Sequence, residues 1–89
     1  MATTDKRQAA ELVEQLMTGA FHAARDPRSP EYQAGARAAL VFRATAASTR
    51  CPYLPGTAQA DAFYAGIDEG HLIWRAHQGS ASAPAKAGQ

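Results

Sequence analysis

Tyr32-Gln33-Ala34-Gly35 and Phe63-Tyr64-Ala65-Gly66, with Cys51-Pro52-Tyr53 between them, decide how this chain folds. Each flanking stretch sets an aromatic residue three positions before a glycine, and the second continues through Gly66-Ile67-Asp68-Glu69-Gly70 to Trp74. A glycine inside a helix costs about 1 kcal/mol against alanine. Gly35, Gly66 and Gly70 therefore require a gain elsewhere, and the gain that fits is a close crossing of two helices at bare backbone. Gly66 and Gly70 lie on one helix face, and Gly35 with Ala39 makes a matching pair. The approach of a partner's backbone or a nucleic acid strand is the alternative use of the same surface.

Working outward, Ser29 as N-cap, Pro30 as first helical residue and Glu31 at the positive end of the helix dipole mark the start of a helix over 30–48. Its inner stripe reads Tyr32, Gly35, Ala36, Ala39, Leu40 and Phe42, with Arg43 on the stripe and Val41 pointing away from it. Residues 49–56 hold two prolines and a glycine, so they make an ordered turn. Thr57 caps a further helix over 57–77, whose inward residues are Ala60, Phe63, Ile67, Gly70 and Trp74. Tyr64 and His71 stand at its edge; Asp61, Asp68, Glu69, Leu72 and Arg75 face outward.

Upstream, Ala9, Leu12, Val13, Leu16, Met17, Ala20, Phe21 and Ala24 recur at helical spacing against a polar face, which predicts an amphipathic helix over 5–25. Asp5 and Gln8 have the spacing of a capping box. Asp26-Pro27-Arg28-Ser29-Pro30 ends that helix, because the residue before each proline is driven from helical angles. Residues 78–89 carry little to bury and are expected to be a disordered tail. The fold class is all-α: a single domain over 1–77, in which the first helix packs on a helical hairpin closed by the Cys-Pro-Tyr turn.

With 89 residues and few bulky aliphatic side chains the core is thin, so close helix contacts or a homodimer must supply part of the stability. The net charge of +1 lacks the general basic excess of a phosphate-neutralising protein. Arg25, Arg28, Arg37, Arg43 and Arg50 nevertheless face only Asp26 and Glu31 across the middle of the chain, a local basic excess. One cysteine cannot make an internal disulfide, no apolar run reaches membrane-spanning length, and the first residues lack a secretory signal. A cytoplasmic protein without a membrane partner is the expectation.

No residue set for catalysis or a cofactor is evident. Cys51 has neither a base nor an orienting group in the sequence pattern, and it reads as a small buried hydrophobe. Cys51, His71 and His77 lack the short ligand pair of a zinc site. Tyr53 either plugs the turn or stacks on a base of single-stranded nucleic acid. Arg43 either pairs with Asp68 or Glu69 or joins Arg37 and Arg50 in a basic patch. Val41 and Leu72, apolar among polar neighbours, are contact candidates.

Tyr32-Gln33-Ala34-Gly35, Cys51-Pro52-Tyr53 and the aromatic-Gly-acidic helix ending in Trp74 together resemble the ribosome modulation factor family over about residues 31–75. The resemblance implies two helices joined by the Cys-Pro-Tyr segment and no enzymatic activity. It further implies binding to ribosomal RNA of the small subunit, which represses translation. Arg37, Arg43, Arg50 and Tyr53 are then the expected RNA contacts. The pattern also resembles small helical proteins of phages and mobile elements that block a host protein complex, such as anti-CRISPR proteins; there the first helix, Val41 and Leu72 would make the contacts.

Overall fold

The computed structural model describes residues 6–22, 25 and 27–81. Three helices carry the fold: α1 (Lys6–Ala20), α2 (Pro30–Thr45) and α3 (Ala58–Ala81). Among the described residues there is no strand, and the all-α class holds. Asp5, Asp26 and residues 82–89, which bear on the first cap, the first linker and the tail, lie outside the described residues.

Local chemistry sets each boundary. The Ser29 hydroxyl accepts the Tyr32 amide at 3.1 Å with Pro30 at the head of α2, the start its sequence predicts. Thr57 does the same for α3, accepting the Ala60 amide at 3.1 Å. Helix α1 stops at Ala20 instead of reaching residue 25: Phe21 makes the last helical bond, to Met17, and the Arg25 guanidinium turns back to donate to the Ala20 carbonyl. That side chain satisfies a carbonyl the helix end leaves without an amide. Helix α2 stops at Thr45 instead of residue 48, because Ala46 takes a left-handed conformation at φ 68° and its amide closes on the Phe42 carbonyl at 2.7 Å. At its far end α3 runs to Ala81, so residues 78–81 continue the helix and do not belong to a disordered tail.

Among the described residues, the crossing of α2 and α3 is the tightest helix contact. A Cβ added at Gly35 would stand 1.9 Å from the Phe63 carbonyl oxygen, and one at Gly66 would stand 1.9 Å from that of Tyr32. At Gly70 it would meet the Ala36 carbonyl oxygen at 2.5 Å. The two aromatic-x-x-Gly motifs are thus reciprocal: each glycine receives the carbonyl of the other motif's aromatic residue. Tyr32, Gly35, Phe63, Gly66, Gly70 and Trp74 take the packing places their spacing predicts, with Phe63 and Leu40 fully buried.

The pairing also fixes direction. Gly35 lies against Phe63 and Ile67, Gly70 against Ala36 and Ala39, and Arg43 against His71, so position numbers rise together along both helices. The two helices run in the same sense and are not the antiparallel arms of a hairpin. Residues 46–57 make this geometry achievable by returning along the pair: Ser48 and Thr49 lie beside Phe42 and His71, and Tyr53 reaches Phe63. A dozen residues in extended form span about 40 Å, ample for the roughly 24 Å length of a 16-residue helix. The sharp turn comes after the Cys-Pro-Tyr stretch, at Pro55-Gly56, where Gly56 has the φ of 82° that a type II turn places on its third residue. The Thr57 hydroxyl donates to the Leu54 carbonyl across it at 2.7 Å.

Helix α1 lies antiparallel to α2. Val13 and Met17 bury against Ala36 and Leu40, with Leu16, Phe21, Ile73 and Trp74 around them. Val41 packs at the edge of this cluster and does not point to solvent, because α1 occupies the side of α2 that the small-residue stripe leaves open. Glu14 and Arg37 form an exposed ion pair between the two helices.

Candidate nucleic-acid interface

Phe42, His71, Ser48 and Thr49, together with Ala38, Ala39 and Ile67, line an open pocket of about 160 Å³ where the return segment leaves α2. Ala38 and Phe42 are four apart on α2, as are Ile67 and His71 on α3, so each helix gives one turn of one face. Phe42 is 45% exposed. Beside it the Arg43 Nε donates to His71 Nδ1 at 3.0 Å, which requires an imidazole unprotonated at that nitrogen. Arg75 stands one turn beyond His71, and Arg50 follows Thr49 in the return segment; both are exposed. Asp68, also exposed, is the acid on this part of α3.

The expected contact residues separate into two groups. Arg43 and Arg50 remain exposed, and Leu72 is 58% exposed on the outer face of α3. Arg37 is engaged by Glu14, and Val41 packs beside α1. Tyr53 is half-buried, with its ring edge-on to Phe63 at 5.9 Å, so it plugs the crossing. Cys51 is half-buried, not fully enclosed; its thiol donates to the Tyr53 carbonyl at 3.7 Å. A hydrogen bond with the Cys51 thiol raises the Tyr64 pKa above the ordinary phenol range, placing that thiol against α3. Among the described residues no group of three His, Cys, Asp or Glu is arranged to hold a metal ion.

Two residues of this surface are misread by the sequence pattern. Phe42 counts as inward in the stripe, and seven residues from Gly35 it does share the crossing face, yet it lies past the close contacts, the last of which on α2 is at Ala39, and stays 45% exposed. His71 reads only as an edge residue; its bond to Arg43 depends on the parallel run of α3, which no local pattern carries.

A second polar cluster lies on the other side of α3 from the pocket, beside the start of α2. Glu69 accepts from Arg25 at 3.0 Å and from the Tyr32 hydroxyl at 2.6 Å, while Arg25 stacks over Phe21 and Arg28 over Tyr32. Glu69 is therefore a half-buried bridge and not part of a solvated outer face. The Arg25 bond, aided by Tyr32 and opposed by burial, holds its carboxyl below the ordinary range, and the bond to Glu69 in turn raises the Tyr32 hydroxyl. Arg25 and the Tyr32 hydroxyl converge on Glu69 Oε1, so the cluster is a clasp that ties the first linker and the start of α2 to α3. No helix of the described residues is long and apolar enough to cross a membrane. Comparison of the chain with protein-family models, with curated proteins and with solved structures found no match.

Proposed function

We propose that the chain is a non-catalytic regulatory protein, akin to the ribosome modulation factor family, that binds ribosomal RNA of the small subunit and represses translation. The observation that carries this reading is the coupling of the reciprocal aromatic-x-x-Gly crossing to a Cys-Pro-Tyr segment docked on Phe63. That rigid frame holds Arg43 beside the Phe42 pocket, with Arg50 on the neighbouring return segment and Arg75 one turn along α3. Arginine forks near an exposed aromatic ring suit single-stranded RNA, whose affinity comes from phosphate contacts and whose bases offer π-faces.

Co-sedimentation with small ribosomal subunits across a salt series tests the reading. If three arginines meet phosphates, log K against log salt falls with a slope of about −2. Absent binding, or binding indifferent to salt, overturns it. The exposure of Leu72, Tyr64 and Leu54 beside Asp61 and Asp68 favours a second reading, an inhibitor that covers a host protein complex. A pull-down from nuclease-treated lysate that retains a protein partner and no ribosomal subunit selects that one.

A further inference from the structure

The geometry points to the pocket between Phe42 and His71 as a receptor for one unstacked nucleobase of single-stranded RNA, an assignment that rests on the RNA reading above. Phe42 supplies a half-exposed aromatic side chain to the lining of a mostly apolar space shared with Ala38, Ala39 and Ile67. A flat heterocycle suits such a space, since base-on-aromatic stacking needs one ring face and tolerates any base. Ser48 and Thr49 also line the space, and a hydroxyl there can donate to or accept from the edge of that base.

Charge selects the occupant. Arg43 is bonded to the lining His71, Arg75 lies one helical turn along α3 from it and Arg50 follows the lining Thr49, all exposed, against Asp68, so a polyanion is attracted where a neutral or cationic group is not. Arg43 is also oriented in advance: its Nε is fixed on His71 Nδ1, which leaves the two-pronged end of the guanidinium for a phosphate next to the seated base. Phosphate and base contacts then divide the work, the arginines giving salt-dependent attraction and Phe42 giving a salt-independent hold.

The test is anisotropy of a dye-labelled, short single-stranded RNA with the full chain and its variants. Phe42→Ala should weaken binding about 5- to 100-fold, leave the salt slope unchanged because no phosphate contact is removed, and melt close to the parent. Phe42→Trp should bind like the parent and lose indole emission on adding RNA, beyond any change at Trp74 in the parent. An oligomer lacking the bases should bind the parent about as weakly as RNA binds Phe42→Ala. Equal affinity of parent and Phe42→Ala, or of RNA and the baseless oligomer, overturns the pocket assignment while the ribosomal reading stands. Failure of the parent to bind either small subunits or the RNA overturns both.

Discussion

The α2/α3 crossing and the seat of α1 on α2 are both helix contacts, and they are built on opposite terms. At the crossing, carbonyl oxygens fill the space where side chains would be, and Gly35 and Gly66 admit no added atom. At the α1 seat, Val13 and Met17 interdigitate with Leu40 and Trp74, and an exposed Glu14–Arg37 pair bridges the rim. Main chain cannot rotate away from an intruder, whereas a flexible thioether can. The first interface therefore fixes one geometry, and the second grades its stability with buried volume.

The largest effect that tests this contrast is Gly66→Ala. Its Cβ meets the Tyr32 carbonyl, so the helix-propensity gain of about 1 kcal/mol is overwhelmed, and a loss at or above about 3 kcal/mol is expected. Thermal melting by circular dichroism reads it; a variant as stable as the parent would break the account of the crossing. Met17→Ala, at the other interface, should cost about 2 kcal/mol, the low end for such a truncation because the site lies near the surface of a small core. Met17→Leu should restore most of that loss, a rescue that no side chain offers at Gly66.

The clasp at Glu69 gives the next smaller effect. Glu69 titrates below its ordinary range in the fold, so its contribution is present above the pKa of the unfolded chain. That contribution is lost as pH falls through the depressed folded value, and Glu69→Gln should flatten the acid limb of stability against pH. Near neutral pH the same variant should cost about 1 kcal/mol, since the site is partly exposed. Smallest is Gly19→Ala on α1, where an added Cβ meets nothing within 4 Å. It should stabilise the chain by about 0.5 kcal/mol, the opposite sign from Gly66→Ala. Paired denaturant titrations of the two alanine variants sharpen the comparison most directly.

These contrasts mark what the sequence makes legible. Ser29-Pro30-Glu31 and Thr57 announce their helices because a cap is a local hydrogen bond whose two ends lie three residues apart. The glycine spacing announces the crossing, because small residues at helical period have few uses. What escapes is whatever depends on elements meeting in space. The direction of α3 is hidden because a proline-rich connector of a dozen residues serves a hairpin and a return run alike. Glu69 reads as solvated until Arg25 arrives from another element, and Val41 reads as outward until α1 covers it. Of the candidate interface, Arg43 and Arg50 are legible from charge, whereas the pocket they flank needs Phe42 and His71 brought together from two helices.

The parallel run of α2 and α3 has a consequence for how the chain acquires its shape. Every rung of that contact joins residues roughly thirty apart in sequence, and the intervening return segment must lie down before the rungs close. A hairpin could zip outward from its bend, with short loops closing first; this pair has no bend from which to start. Assembly therefore waits until α3 has left the ribosome's exit tunnel, and folding during synthesis begins with α1 against α2, leaving the glycine face of α2 bare until its counterpart is made.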